Sequence, residues 1–176
     1  MNLLEIPTFS APGIFHVVVE SPRGAAVKLK YDAQWNAMAI SRPLLLGLTY
    51  PYDWGFVPST TGPDGDPIDA LVLWNVSSYP GVVLTCRAIG IIYIEQNRTN
   101  FDPSERIRND RLLVMPEAAR RERDFDPLDV MPSRVKEELE QFTTAVTALE
   151  GKDVRIVGWG DGAAALTFIE EMASQA

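Results

Sequence analysis

The hexapeptide Asp64-Gly65-Asp66-Pro67-Ile68-Asp69 sets three carboxylates within six residues, between the polar run Ser59-Thr60-Thr61-Gly62-Pro63 and an apolar run that starts at Ala70. Carboxylates crowded into a loop repel, and hard divalent cations relieve that repulsion by taking oxygen ligands. Mg2+ engages only a few carboxylates and fills its shell with water and phosphate oxygens, so the segment points to a metal-phosphate site. A solvated turn is the alternative, since Asp, Gly and Pro are all turn residues. An EF-hand loop starting at Asp64 fails, because Ile68, Asp69 and Asn75 stand where a ligand, a glycine and a glutamate are required. An Asp-x-Asp phosphatase motif should close an apolar strand, whereas this one precedes a strand.

Composition narrows the remaining chemistry. His16 and Cys86 are the only residues of their kinds, which excludes an internal disulfide, a multi-thiolate zinc site and a Ser-His-Asp triad. Carboxylates, Lys, Arg and Tyr are left to do the work. With 24 acidic against 16 basic side chains, the net charge of -8 argues against nucleic acid or an anionic membrane as partner. An anionic substrate would need local positive charge. Seven arginines lie between Arg98 and Arg123, but five acids interrupt them, so the segment reads as a solvated or subunit-facing surface. The amino-terminal stretch lacks the basic start of a secretory signal, and no apolar run approaches the roughly 20 residues that span a bilayer. The expectation is a soluble cytoplasmic protein of one domain, residues 1–176, with the 46% hydrophobic content of an ordinary core.

Short β-type runs must position the acidic loop. Phe15, Val17 and Val19 alternate with His16, Val18 and Glu20. Val27, Leu29 and Tyr31 alternate with Lys28 and Lys30, which puts both ammonium groups on one strand face. Further strands are predicted at Ala37–Ser41, Ala70–Trp74, Val82–Ile94, Leu112–Met115 and Val154–Val157, with a bend or bulge at Gly90. Helical periodicity comes late. Val135, Leu139, Phe142, Val146 and Leu149 share one face of a helix predicted over Ser133–Glu150, stopped by Gly151. A last helix follows Asp161 as its N-cap, with Leu166, Ile169 and Met172 inward. Strands followed by segregated helices define an α+β class.

The order and spacing of several segments resemble the soluble family I inorganic pyrophosphatases. The Asp64-Gly65-Asp66-Pro67-Ile68-Asp69 segment matches the family signature. It is supported by Glu20-Ser21-Pro22-Arg23-Gly24 with Lys28, by Arg42, by Tyr50-Pro51 leading to Gly55-Phe56, by Cys86-Arg87-Ala88-Ile89-Gly90 and by Gly158-Trp159. The resemblance runs from about Val17 to the last helix. It implies an OB-like five-stranded closed barrel with additional short strands and two C-terminal helices, Mg2+-dependent hydrolysis of pyrophosphate, and a homo-oligomer, hexameric in bacterial members. It also implies that Asp64 and Asp69 bind metal, that Asp66 accepts a proton from the attacking water, and that Glu20 holds further metal or its water. Lys28 and Arg42 would contact phosphate oxygens.

The sequence departs from the family mainly where substrate binds. Trp54 stands where the family has a tyrosine, and Ala145-Val146-Thr147 where the helix carries an adjacent Tyr-Lys pair that grips phosphate. In the second acidic loop an insertion reaches Arg108, and Arg111 takes the place of a lysine. Counting back two residues gives Asn109 in place of a liganding aspartate, leaving Asp110, one residue out of register, and Glu95 as substitute metal ligands. These losses leave two further outcomes open: a hydrolase of another phosphoanhydride, with Tyr52, Trp54 and Phe101 lining a larger site, or a non-catalytic pyrophosphatase-like binding protein.

Overall fold

Val17, Val18 and Val19 are all fully buried, so the strand that carries them is covered on both faces rather than on one. The same holds for Leu71 and Val72, and for Leu112, Leu113 and Val114. The structure, a computed structural model, describes residues 2–99, 102–119 and 131–174. Its strands in chain order are β1 (Phe9–Ala11), β2 (Ile14–Ser21), β3 (Val27–Asp32), β4 (Ala37–Pro43), β5 (Asp53–Phe56), β6 (Asp69–Val72), β7 (Val83–Thr99), β8 (Asp102–Arg108), β9 (Arg111–Pro116) and β10 (Arg155–Asp161). Helices α1 (Ser133–Thr147) and α2 (Gly162–Ala173) come after the ninth strand.

Five strands close into a ring. β2 pairs with β5 and β5 with β6 antiparallel, β6 with β9 parallel, and β9 with β7 and β7 with β2 antiparallel. Closure removes the open edges of the sheet, and this is the OB-like closed barrel of the α+β expectation. β1, β8 and β10 extend the ring, while β3 and β4 form a separate hairpin. Successive residues of the barrel strands enter different cores. Ala70, Val72, Leu112 and Val114 pack with Ala165, Ile169 and Met172 of α2. Leu71, Leu113, Ile92 and Ile94 pack with Leu139, Phe142 and Val146 of α1.

Several sequence expectations shift in detail. The register of β7 against β9 slips between Ala88 and Gly90, where the bulge was expected. Strand β5 escaped the sequence reading because Asp53-Trp54-Gly55-Phe56 is too short to show alternation, yet it closes the ring. Gly55 is required there, since a Cβ would stand 2.0 Å from the Val18 carbonyl oxygen. Helix α1 ends at Thr147 instead of Glu150, and Leu149, expected on its inner face, is 80% exposed. Asp161 caps α2 as expected, its side chain accepting from the Ala164 N–H. The insertion after Glu95 is a hairpin of β7 and β8. Phe101 and the arginines at 120, 121 and 123 lie outside the described residues. Among the described residues, no helix is long and apolar enough to cross a membrane.

Candidate active site

The acidic loop joins β5 to β6, and local hydrogen bonds shape it. The Val57 N–H donates to the Ile68 carbonyl (2.9 Å), and Thr60 Oγ1 accepts from the Ile68 N–H (3.2 Å) while donating to the Val57 carbonyl (2.7 Å). Inside this clamp Gly62 N–H donates to the Asp66 carbonyl, and Gly65 adopts φ +88°, open to glycine at little cost. Asp64 Oδ1 accepts from the Asp66 N–H at 3.3 Å. Asp69 opens β6 and lies in register with Arg111 of β9.

An open cleft of about 170 Å3 gathers Glu20, Asp64, Asp66 and Asp69 with Lys28, Lys30, Asn109, Arg111 and Lys152. Glu20 reaches it from β2 and accepts from the Tyr31 N–H (2.8 Å), while Ser21 Oγ accepts from the Leu29 N–H (2.9 Å). These two bonds fasten the β3–β4 hairpin over the barrel and bring Lys28 and Lys30 to the carboxylates. Lys30 Nζ lies 3.1 Å from Asp66 Oδ2, and Arg111 Nη1 lies 2.9 Å from Asp69 Oδ2. The guanidinium of Arg111 stacks over the Trp54 ring, 5.2 Å from its centroid. Burial pushes the Glu20 carboxyl up to about 7, against the Tyr31 N–H that lowers it, and the charge of Asp69 adds to the rise. Burial likewise raises Asp64 and lowers Lys28.

Not every residue singled out in the sequence reaches this cleft. Asp110, expected as a metal ligand, does not line the cleft: its buried carboxylate accepts from the Ile94 N–H (2.8 Å) and from Arg108 Nε (3.0 Å) and Nη2 (2.8 Å). Asn109 lines the cleft in its place. Glu95 does not line it either and lies 3.9 Å from Arg106 Nε. Arg42 sits beside the cleft, in a cavity of about 10 Å3 that shares Lys28 and Arg111 with it and is floored by Val146 and Thr147. There it donates to the Val146 carbonyl (2.6 Å) and bonds the Glu150 carboxylate. Among the described residues of the basic segment, Arg98 pairs with Glu105, Arg106 with Asp153 and Arg108 with Asp110.

Two cleft residues escaped the sequence reading as site residues. Lys30 was marked by sharing a strand face with Lys28, which is the signal that identifies it. Lys152 lies beyond the helix end and carried no signal, because its position depends on the Asn97 N–H, 2.7 Å from the Lys152 carbonyl.

The donors suit a hard cation. The cleft's anionic ligands are carboxylates, two of them raised by burial, and a divalent ion would relieve that cost. Among the described residues no three His, Cys, Asp or Glu side chains are grouped closely enough to hold a metal ion between them. Carboxylates and cations facing one another across a cleft are the groups that metal-assisted phosphoryl hydrolysis requires. Comparison with known proteins narrows this class. The family model described as inorganic pyrophosphatase matches residues 17–176. The inorganic pyrophosphatase of Thermus thermophilus is 38% identical over 169 residues, spanning 94% of this chain and 92% of the relative. That of Synechocystis is 32% identical over 97% of this chain and 96% of its own. A solved Thermus thermophilus inorganic pyrophosphatase superposes with a TM-score of 0.89, at 32% identity in that superposition, over 99% of this chain and 98% of its own. The chain belongs to the soluble family I inorganic pyrophosphatases.

Proposed function

We propose that this chain hydrolyses inorganic pyrophosphate to two phosphates with Mg2+ as cofactor. The observation that carries the reading is the single cleft in which Glu20, Asp64, Asp66 and Asp69 meet Lys28 and Arg111. Asp64, Asp69 and Glu20 would hold Mg2+, which when bound lowers the pKa of water and offsets phosphate charge. Asp66 accepts the proton of the attacking water; exposed and, among the described residues, paired with Lys30 at the surface, it is free to exchange that partner. Water oxygen bonds to one phosphorus, the bridging P–O bond breaks, and its electron pair leaves with the second phosphate. Lys28 and Arg111 receive phosphate oxygens, Arg111 and Arg42 by forks suited to two of them. Positioning and charge supply most of the catalysis, as phosphoryl transfer requires.

The chain would work as a single domain in the cytoplasm, as a homo-oligomer of hexameric type by family resemblance. The test is phosphate release from pyrophosphate, nucleoside triphosphates and a phosphomonoester, each with and without Mg2+. Mg2+-dependent release from pyrophosphate ahead of the others is expected. Release only from another anhydride would move the substrate, and none at all would overturn the reading.

A further inference from the structure

The carboxylate of Glu150 stands between the two cavities. One oxygen bonds Arg42, which lines the small cavity, and the other lies 3.3 Å from Nζ of Lys152, which lines the cleft. Its side chain is 19% exposed. Burial alone would raise this carboxyl, but Lys28, Lys152 and Arg42 outweigh it and hold the group below the usual carboxylate range. Arg42 is thus turned away from the carboxylates that would hold metal and toward an internal anion. The small cavity that Arg42 shares with Lys28 and Arg111 has room for about one water, so no phosphate group enters it while this contact stands. Two of its lining residues, Trp54 and Arg111, each have a buried N–H without a hydrogen-bond partner among the described residues. Three cations line this cavity beside those two donors, and an acceptor placed there would satisfy them.

We propose that Glu150 is an internal substitute for a phosphate group, gathering Arg42 and Lys152 in the resting chain and giving them up to a phosphate of the substrate. Lys152 then supplies the cation that the helix lacks at Ala145-Val146-Thr147. The inference rests on the pyrophosphatase reading and deepens it. Glu150 is a positioning residue: it acts through Arg42 and Lys152 and competes with the anion they bind. Arg42 also donates to the Val146 carbonyl, an acceptor that neutralising Glu150 does not remove.

The experiment measures inorganic phosphate binding by calorimetry, with Mg2+ present, for wild type, Glu150→Gln, Glu150→Asp and the double variant Glu150→Gln with Lys152→Gln. Melting temperature and the KM for pyrophosphate are followed in parallel. Glu150→Gln should bind phosphate about tenfold more tightly, the scale of removing one like charge from a partly exposed anion site, and should lower KM while its melting temperature falls. Glu150→Asp keeps the charge and should show no gain, and Lys152→Gln should erase most of the gain. A purely structural role would lower melting temperature and weaken binding together, and that result, or unchanged phosphate affinity, overturns the proposal. Wild-type protein that releases no phosphate from pyrophosphate would overturn the functional reading instead, while the phosphate affinities would still judge Glu150.

Discussion

Glu20 combines a buried position with a single strong hydrogen bond, and its acid constant follows from that balance. Burial lifts the carboxyl to about 7, so its contribution to stability is present below the ordinary value near 4.5 and is lost as pH rises through 7. Metal-free protein should therefore lose melting temperature between about pH 5 and pH 7 more steeply than Glu20→Gln does. Mg2+ binding near neutral pH should release a proton, measurable by calorimetry in buffers of different ionisation enthalpy, and equal heats across buffers would contradict the placement of Glu20 at the cation. Asp110 provides the opposite case. Its three hydrogen bonds go to Ile94 and Arg108, so Asp110→Asn should lower the melting temperature and leave cation affinity within about twofold, whereas Asp69→Asn should weaken it. Equal losses of cation affinity in the two variants would restore Asp110 to the site. Residue identity alone could not separate Asn109 from Asp110, because the one-residue choice is made by the hairpin that precedes them.

Strands fix which carboxylates meet. The close approach of β2 and β5 at Gly55 holds the barrel shut directly before the acidic loop, and Gly55→Ala must push a methyl group into the Val18 carbonyl. A loss of about 2–4 kcal/mol is expected in urea denaturation, and a loss below about 0.5 kcal/mol would contradict the packing. Alternation and turn residues made most strands and both helices legible, including the Asp161 cap and the bulge near Gly90. The short β5 was not legible, since four residues carry no periodicity, nor was the end of α1, where Leu149 kept the helical spacing but left the core. At the site, the aspartates of the loop were readable from type and spacing, and Lys28 from the family resemblance. Lys152 was not, because a backbone bond to β7 places it, and Arg42 was readable as a cation but not as one turned to Glu150.

Across the whole molecule, a net charge of -8 looks hostile to an anionic substrate. The distribution removes that conflict. Acids at Glu20, Asp64, Asp66 and Asp69 share their cleft with Lys28, Lys30, Arg111 and Lys152, so four cationic side chains face four carboxyl groups there. A divalent cation would then tip its field toward phosphate. The interleaved arginines of the β7–β8 hairpin are similarly neutralised by Glu105, Asp153 and Asp110, which leaves no broad cationic face among the described residues of that hairpin. The proposed hydrolysis, with Asp66 as proton acceptor, depends on these opposed charges acting together with a divalent cation. It is tested most directly by phosphate release from pyrophosphate, with saturating Mg2+, for wild type and Asp66→Asn. Mg2+-dependent turnover is expected in wild type, with a loss of about 10²–10⁴-fold in kcat for the variant at unchanged fold. Turnover in Asp66→Asn equal to that of wild type would contradict it.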